Sequence, residues 1–479
     1  MKRISPVVIF LLSIHVLSAQ TGSFELFLSD SVITNASVSL YVEDTDSGKI
    51  LMSFNPKMSL IPASTMKLVT SAVALELLGP EYTFKTTLGY TGSINRRSGR
   101  LDGNIIITGG GDPSLGSEYF KDHYREFINS WVEEIKRAGI RKIRGRIVTD
   151  DSYYDYEPVP PRWLWEDLGT YYGAGVYGLS VFDNSCRIRV KSSPDSSRVD
   201  IIGITPDLHD YTFTNKLAAG GKKENWYVFS APYSRSGWFS GTIPVSNEEL
   251  IIDAAITDPP LVIASILHEK LESVGIDISE EPLTIRLEPE IPTGDITWLT
   301  ETVSPILSLI ADVLNKESVN LYAEHLLKEL GKRYEKSATT AAGVRVIRDF
   351  LGNAGIDTTG LFIEDGSGLS SRNGINSEAL VKLLIYMRTR GKSYEIFYSS
   401  LPDAGRSGTL AQYFKDAFFD SNLKAKSGSM TRVRCYAGYF TTVSGRHLAF
   451  SILINNFQGP SAPVIKHIEE ILKEIIINY

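Results

Sequence analysis

Ile61-Pro62-Ala63-Ser64-Thr65-Met66-Lys67 is the stretch on which the reading of this chain turns. Ser64 and Lys67 are three positions apart, so a helix would set them on one face about one turn from each other. Residues 68–78 add almost nothing polar beyond Thr70, Ser71 and Glu76, and Gly79-Pro80 closes the run. A helix that is apolar all round is usually a buried one, and Gly-Pro after it is a stop. The sequence therefore predicts a hydroxyl and an amine at the start of a buried helix, where backbone N–H groups lack intrahelical acceptors. Burial disfavours the charged form of lysine. A neutral amine beside a serine hydroxyl can take its proton and make the serine a nucleophile. The same residues also describe a capping serine and a lysine that reaches solvent, and the rest of the chain decides between the two.

Immediately upstream, residues 36–42 alternate as a strand, 44–48 is a turn, and 49–54 reads as the returning strand. Residues 84–90 form a strand leaving the helix. From residue 91 the chain turns to short strands and glycine-rich turns. Gly109-Gly110-Gly111-Asp112-Pro113 lacks the Gly-Lys-Ser/Thr ending of a phosphate loop and reads as a turn. Helices are predicted over 124–138 and 261–274, with strands over 144–149, 180–199 and 200–213 and a hairpin tip at 220–223. Beyond residue 298 helices dominate, over 303–314, 321–330 (stopped by Gly331), 339–350 and 377–388. Strands over 423–429, 436–443 and 447–456 and an amphipathic helix over 463–477 complete the chain. N- and C-terminal strands and helices can make one α/β unit around an inserted β-rich middle.

At 479 residues more than one domain is expected. A hydrophobic content of 43% suits a large buried core, and the net charge of −7 gives no reason to expect nucleic acid or an anionic membrane as partner. Lys2 and Arg3, the apolar run 7–12 and the small residues Ser18-Ala19 read as a cleaved export signal over 1–19. The apolar run is short for a bilayer span, and no later stretch is long and apolar enough to be one. The mature protein is thus expected in the periplasm or the medium. The two cysteines, Cys186 and Cys435, read as small buried hydrophobes rather than a disulfide, and they do not fit a zinc spacing.

Two later segments complete the first. Glu317-Ser318-Val319-Asn320 falls between two helices, where it places a hydroxyl and an amide. Lys426-Ser427-Gly428-Ser429 falls on a strand, with a charge, a hydroxyl and a position open to close backbone approach. Each alone is unremarkable, as a cap or an edge-strand decoration. Together and in this order they spell S-x-x-K, S-x-N and K-[TS]-G, the set of the penicillin-recognising serine enzymes. No G-x-S-x-G elbow and no H-E-x-x-H is present. About 250 residues separate Lys67 from Ser318, room for whole inserted domains. With Asp365-Gly366-Ser367-Gly368-Leu369-Ser370 and the run from Lys426 through Met430 to Ala437-Gly438-Tyr439, the chain resembles the class C low-molecular-mass penicillin-binding proteins, the D-Ala-D-Ala carboxypeptidase/endopeptidase family. Ser427 stands where that family usually has threonine.

The resemblance implies a DD-peptidase/β-lactamase-like fold: an antiparallel sheet with helices on both faces, carrying large β-rich insertions. The implied division is 20–90 with 296–479 as catalytic domain, 91–190 with 256–295 as an inserted domain, and 191–255 nested within it. It further implies peptidoglycan stem peptides as substrate, β-lactams as covalent inhibitors and no metal or organic cofactor. Ser64 would be the nucleophile and Lys67 its base, with Lys426 helping to keep Lys67 neutral. Ser318 would relay the proton, Asn320 would bind the substrate amide, and Lys426 and Ser427 would hold the terminal carboxylate, with Gly428 and Ser429 completing the substrate-binding strand. The N–H groups of Ser64 and Ser429 would form the oxyanion hole. In the insert, Asp155 and Glu157 are candidates to read a basic stem residue, and Arg372 is a further candidate. A β-lactamase, a D-amino-acid esterase or amidase, and an idle wall-binding protein are the competing readings.

Overall fold

Residues Ser37–Asp44 and Ile50–Phe54 form an antiparallel hairpin, and three strands from the far end of the chain extend it. In the computed structural model, which describes residues 22–192, 197–246, 248–290 and 295–479, the sheet order is 423–430, 433–441, 447–455, 37–44, 50–54, antiparallel throughout. Alternation along the strands sorts the side chains to two faces. Cys435, Ala437 and Tyr439 join the core containing the Met66–Leu78 helix. Tyr436, Phe440, Phe450 and Ile452 join the opposite core with the closing helix Ser461–Asn478. That helix presents Val464, Ile468, Leu472 and Ile475 on one face, the spacing that builds an apolar stripe. A short helix not expected from sequence, Gly22–Ser29, packs on the same side through Phe24 and Phe27. The export signal read over 1–19 lies outside the described residues.

The middle of the chain builds four further sheets, of three, three, four and five strands. Two share a core with helices Phe127–Arg137 and Pro259–Ser273. The other two enclose a separate core around Val190, Val228 and Phe239. Strands Lys85–Tyr90 and Thr297–Val303, grouped with the outer unit on sequence, pair with each other, and Lys85–Tyr90 pairs in turn with Ile105–Thr108, in one of the sheets of the middle of the chain. Both crossings between the halves therefore run through a single strand pair.

Three local expectations are corrected. The helix read over 124–138 is broken by Arg125, whose φ of 42° ends one turn before Phe127–Arg137 begins. Residues 220–223 are not a hairpin tip, because Thr212–Ala219 and Asn225–Phe229 lie on opposite sides of Ser236–Ile243. Gly331 does not stop its helix, which runs from Asn320 to Glu335. A Cβ at Gly331 would come within 2.7 Å of the Gly343 nitrogen, so this glycine serves close approach of the next helix, Thr340–Asn353. Cys186 and Cys435 are buried, unpaired and in different cores. Among the described residues no helix is long and apolar enough to cross a membrane.

Candidate active site

Ser64 sits in a tight turn, Ala63–Thr65, that runs directly into the helix Met66–Leu78. One face of this helix lies against helices Leu307–Lys316 and Asn320–Glu335, so Lys67 is wholly buried. Its Nζ lies 3.0 Å from the Ser64 Oγ, 2.5 Å from the Asn320 Oδ1 and 2.8 Å from the Ser367 carbonyl oxygen. Burial pulls the Lys67 pKa down to about 7, against the opposing pull of the Glu324 and Asp365 carboxylates. A substantial neutral fraction near pH 7 follows. Burial is the main cause of the Lys67 shift; burial, and then the charge of Lys67, hold the Lys426 pKa down as well, and that repulsion between the two amines acts on both.

Ser318 takes a left-handed φ of 61° between two helices, and its Oγ accepts a hydrogen bond of 2.9 Å from the Lys426 Nζ. Asn320 opens the following helix, and its Nδ2 donates to the Tyr172 carbonyl oxygen at 2.7 Å. The Lys426 strand runs beside the Ser64 turn. At Gly428 an added Cβ would come within 2.4 Å of the Pro62 carbonyl oxygen and 3.1 Å of the Ser64 nitrogen. A side chain there would push strand and turn apart, which is the physical demand behind the third motif's glycine. Ser427 Oγ donates to Thr409 Oγ1 at 2.8 Å. Ser64, Ser318, Asn320 and Ser429 all line one cleft of about 1230 Å³, with the two amines behind them.

The remaining candidates stand elsewhere. The Asp155 carboxylate is tied to the buried Lys328 ammonium, which also donates to the Glu157 carbonyl oxygen at 2.7 Å. Neither residue lines the cleft, since desolvating Lys328 demands a local partner. Arg372 is exposed and does not itself line the cleft, although its neighbour Ser371 does. The insert's contribution to the cleft is instead Glu118, Glu166, Asp167, Tyr171 and Tyr172, with Asp253 and Arg187.

Two buried carboxylates to which the sequence reading gave no role support the site. Glu324, one helical turn beyond Asn320, accepts from the Gly366 and Ser367 nitrogens at 3.0 and 2.7 Å, and so fixes the segment whose Ser367 carbonyl holds Lys67. Asp365 accepts from the nitrogens of Gly368 and Ser370, from Asn373 Nδ2 and from the Trp163 indole Nε1. At Gly368 a Cβ would lie 1.9 Å from the Ala63 carbonyl oxygen, so this loop is pressed against the Ser64 turn. The i, i+4 spacing of Asn320 and Glu324 was a usable signal; the loop that Glu324 would hold was not.

An antiparallel five-stranded sheet between two helical layers, with a serine and a buried lysine where the edge strand meets the central helix, defines a penicillin-recognising protein of the DD-peptidase and β-lactamase fold. The D-Ala-D-Ala carboxypeptidase 3 (S13) family matches residues 20–475, and the chain belongs to that family. It is 27% identical over 449 residues to a D-alanyl-D-alanine carboxypeptidase of Actinomadura sp. (strain R39), covering 91% of this chain and 81% of that one. The crystal structure of penicillin binding protein 4 from Haemophilus influenzae superposes with a TM-score of 0.78 at 21% identity, over 93% of this chain and 98% of that one. A second structure of that protein, complexed with a β-lactam, gives 0.75 over the same shares at the same identity.

Proposed function

We infer that this chain is a serine D-Ala-D-Ala carboxypeptidase and endopeptidase that cleaves peptidoglycan stem peptides through an acyl-enzyme on Ser64. The observation that carries this reading is the 3.0 Å approach of the Lys67 amine to the Ser64 hydroxyl, with Ser318 lining the same cleft and held by Lys426. Ser64 Oγ bonds to the carbonyl carbon of the penultimate D-alanine while its proton passes to Lys67. The oxyanion faces the N–H groups of Ser64 and Ser429; losing one such donor costs about 3–4 kcal/mol of barrier. Ser318 passes a proton to the departing amine and takes the Lys67 proton in its place, the C–N bond breaks, and D-alanine leaves with Lys67 neutral again. Water then adds to the ester, giving a proton to Lys67, and Lys67 returns it to the Ser64 Oγ as the ester C–O bond breaks. Asn320 would hold the substrate amide, and Lys426 with Ser427 the terminal carboxylate. In a cross-link the same bond joins two stems, so the leaving amine belongs to a side chain instead of free D-alanine.

Acidic residues outnumber Arg187 along the cleft, with Glu118, Glu166, Asp167, Asp253 and Glu317 in its wall. A stem with a free amine at its third residue fits that charge. A β-lactam presents a strained amide to Ser64 and leaves an ester that water removes slowly. The export signal would place the enzyme with its substrate, in the periplasm or outside the cell. The domain division extends this reading: 20–90 with 296–479 would be catalytic, apart from the strand pair 85–90 and 297–303 that joins a sheet of the inserted part, with the two inserted units over 91–295 shaping access.

The test is intact-mass analysis after incubation with a penicillin, alongside product analysis on pentapeptide stems and purified muropeptide dimers. The wild type should gain one adduct, release D-alanine and split dimers; Ser64→Ala should do none of these. An adduct that persists in Ser64→Ala moves the nucleophile elsewhere. Fast turnover of the β-lactam, with no D-alanine released, makes the protein a β-lactamase.

A further inference from the structure

The nested unit carries an unusual surface. Its sheet of Thr212–Ala219, Ser236–Ile243 and Asn225–Phe229 buries Val228 and Phe239 on one face. The alternate residues point the other way. There Phe229 stands opposite Trp238, and Trp238 opposite Thr214; in the neighbouring row Tyr227 stands opposite Ser240, and Ser240 opposite Lys216. The rings of Tyr227, Phe229 and Trp238 lie within 23° of parallel from one to the next, at centroid spacings of 5.9 and 5.2 Å. Trp165 rests across Phe229 and Trp238 at 5.5 Å from each. It is nevertheless 58% exposed, and Tyr227 43%.

Such a patch on the surface calls for a ligand, and its make-up restricts which. Flat rings bordered by threonine and serine hydroxyls and one lysine are not the continuous aliphatic surface that a packed protein partner covers. They suit a pyranose, whose C–H face lies flat on an aromatic ring while its rim of hydroxyls and amides takes hydrogen bonds. Position narrows the choice further. Trp165 begins the short helix Trp165–Leu168, and its neighbours Leu164, Glu166 and Asp167 are in the wall of the catalytic cleft. The segment is seated tightly on the sheet: a Cβ at Gly169 would come within 2.0 Å of the Val228 carbonyl oxygen. Cleft wall and aromatic face are thus two sides of one rigid piece. A polymer that sends a peptide into the cleft presents its sugar chain beside it.

We propose that this aromatic face, built from Trp165, Tyr227, Phe229 and Trp238, is a binding platform for the amino-sugar strand of the wall polymer whose stem peptide occupies the cleft. It rests on the reading of the cleft as a stem-peptide site, and it makes the nested unit a substrate-recognition module. Short free peptides bypass the platform. Peptides still attached to glycan gain from it, since tethering the stem raises its effective concentration at the cleft.

Full-length protein bearing Ser64→Ala, which cannot consume substrate, is titrated with wall glycan strands stripped of their stem peptides, following tryptophan fluorescence and calorimetric heat. Saturable binding is expected, weakened tenfold or more by Trp165→Ala or Tyr227→Ala. In the otherwise wild-type enzyme Tyr227→Ala, at a residue outside the cleft wall, should leave kcat/KM on a soluble D-Ala-D-Ala peptide within twofold, and slow D-alanine release from intact glycan-linked pentapeptide by fivefold or more. Because the stripped strands carry no peptide, failure of the peptidase reading leaves this arm intact, and the reverse holds. Stripped strands that do not bind, or that bind both variants as well as the parent, overturn the proposal. So does a concentration-dependent dimer abolished by Trp165→Ala, which would assign the face to a second copy of this chain.

Discussion

The proposed mechanism asks Lys67 to be neutral when it takes the Ser64 proton and charged afterwards, and its surroundings bear on both demands. Burial lowers its pKa to about 7, while Glu324 and Asp365 resist. Acylation should therefore rise with pH through about 7 as the amine loses its proton. Glu324 holds the nitrogens of residues 366 and 367; burial and then the Asp365 charge push its own pKa up to about 7, and in its ionised form it favours the Lys67 ammonium. Glu324→Gln removes that charge at nearly constant shape. The sign follows: without the carboxylate the ammonium is less favoured, so the acidic limb of the acylation profile should move to lower pH, by up to about 1 unit. Stopped-flow acylation by a chromogenic β-lactam across pH 5–9 checks this. A variant that is merely slower, with an unmoved limb, would make Glu324 a structural brace only.

Helix packing explains both what the sequence disclosed and what it hid. The apolar run behind Lys67 could be read as a buried helix because almost no position in 68–78 is polar, and the structure buries all of 66–75. Ser318 and Asn320 were placed at an inter-helix turn by the helix patterns on either side. Gly331 was misread because a glycine after an apolar run looks the same whether it ends a helix or lets a neighbour approach. Here Gly331 and Gly343 face across two helices; a Cβ at Gly343 would come within 2.0 Å of the Leu327 carbonyl oxygen. That contact joins elements with no local link in sequence pattern. A solvent-facing and a packed helix-interior glycine predict opposite signs for Gly331→Ala. As a solvent-facing helix interior position it would gain about 0.5–1 kcal/mol from helix propensity. As a packing contact it loses about 1–3 kcal/mol to overpacking. The second should win, leaving a net loss of about 1–2 kcal/mol in urea unfolding with the m-value unchanged.

Across the whole molecule, the insert does more than enlarge the catalytic unit. Three motifs separated by hundreds of residues could be recognised because each demands its own few side chains. The contacts that brace them come from the Pro- and Trp-rich loop around Trp163, whose partner Asp365 lies some 200 positions away, and no local pattern marks such a pair. Through its indole N–H, Trp163 is tied to a carboxylate that also gathers Gly368, Ser370 and Asn373. The same loop presses Gly368 on the Ser64 turn and offers the Ser367 carbonyl to Lys67. Trp163→Phe keeps an aromatic ring in place and removes only the donor. A hydrogen bond to a charged group contributes about 1.5–3 kcal/mol, and tenfold in rate corresponds to about 1.4 kcal/mol. If about half of that is expressed as loosening of the 365–370 loop, acylation should slow about three- to tenfold while circular dichroism stays unchanged. The contrasting outcome is a lower unfolding midpoint with acylation at the wild-type rate, and it would mean that Trp163 fastens the insert without tuning the site. Acylation and unfolding measured on the same preparation separate the two, because only a loop that positions Lys67 can change the first while the protein remains fully folded.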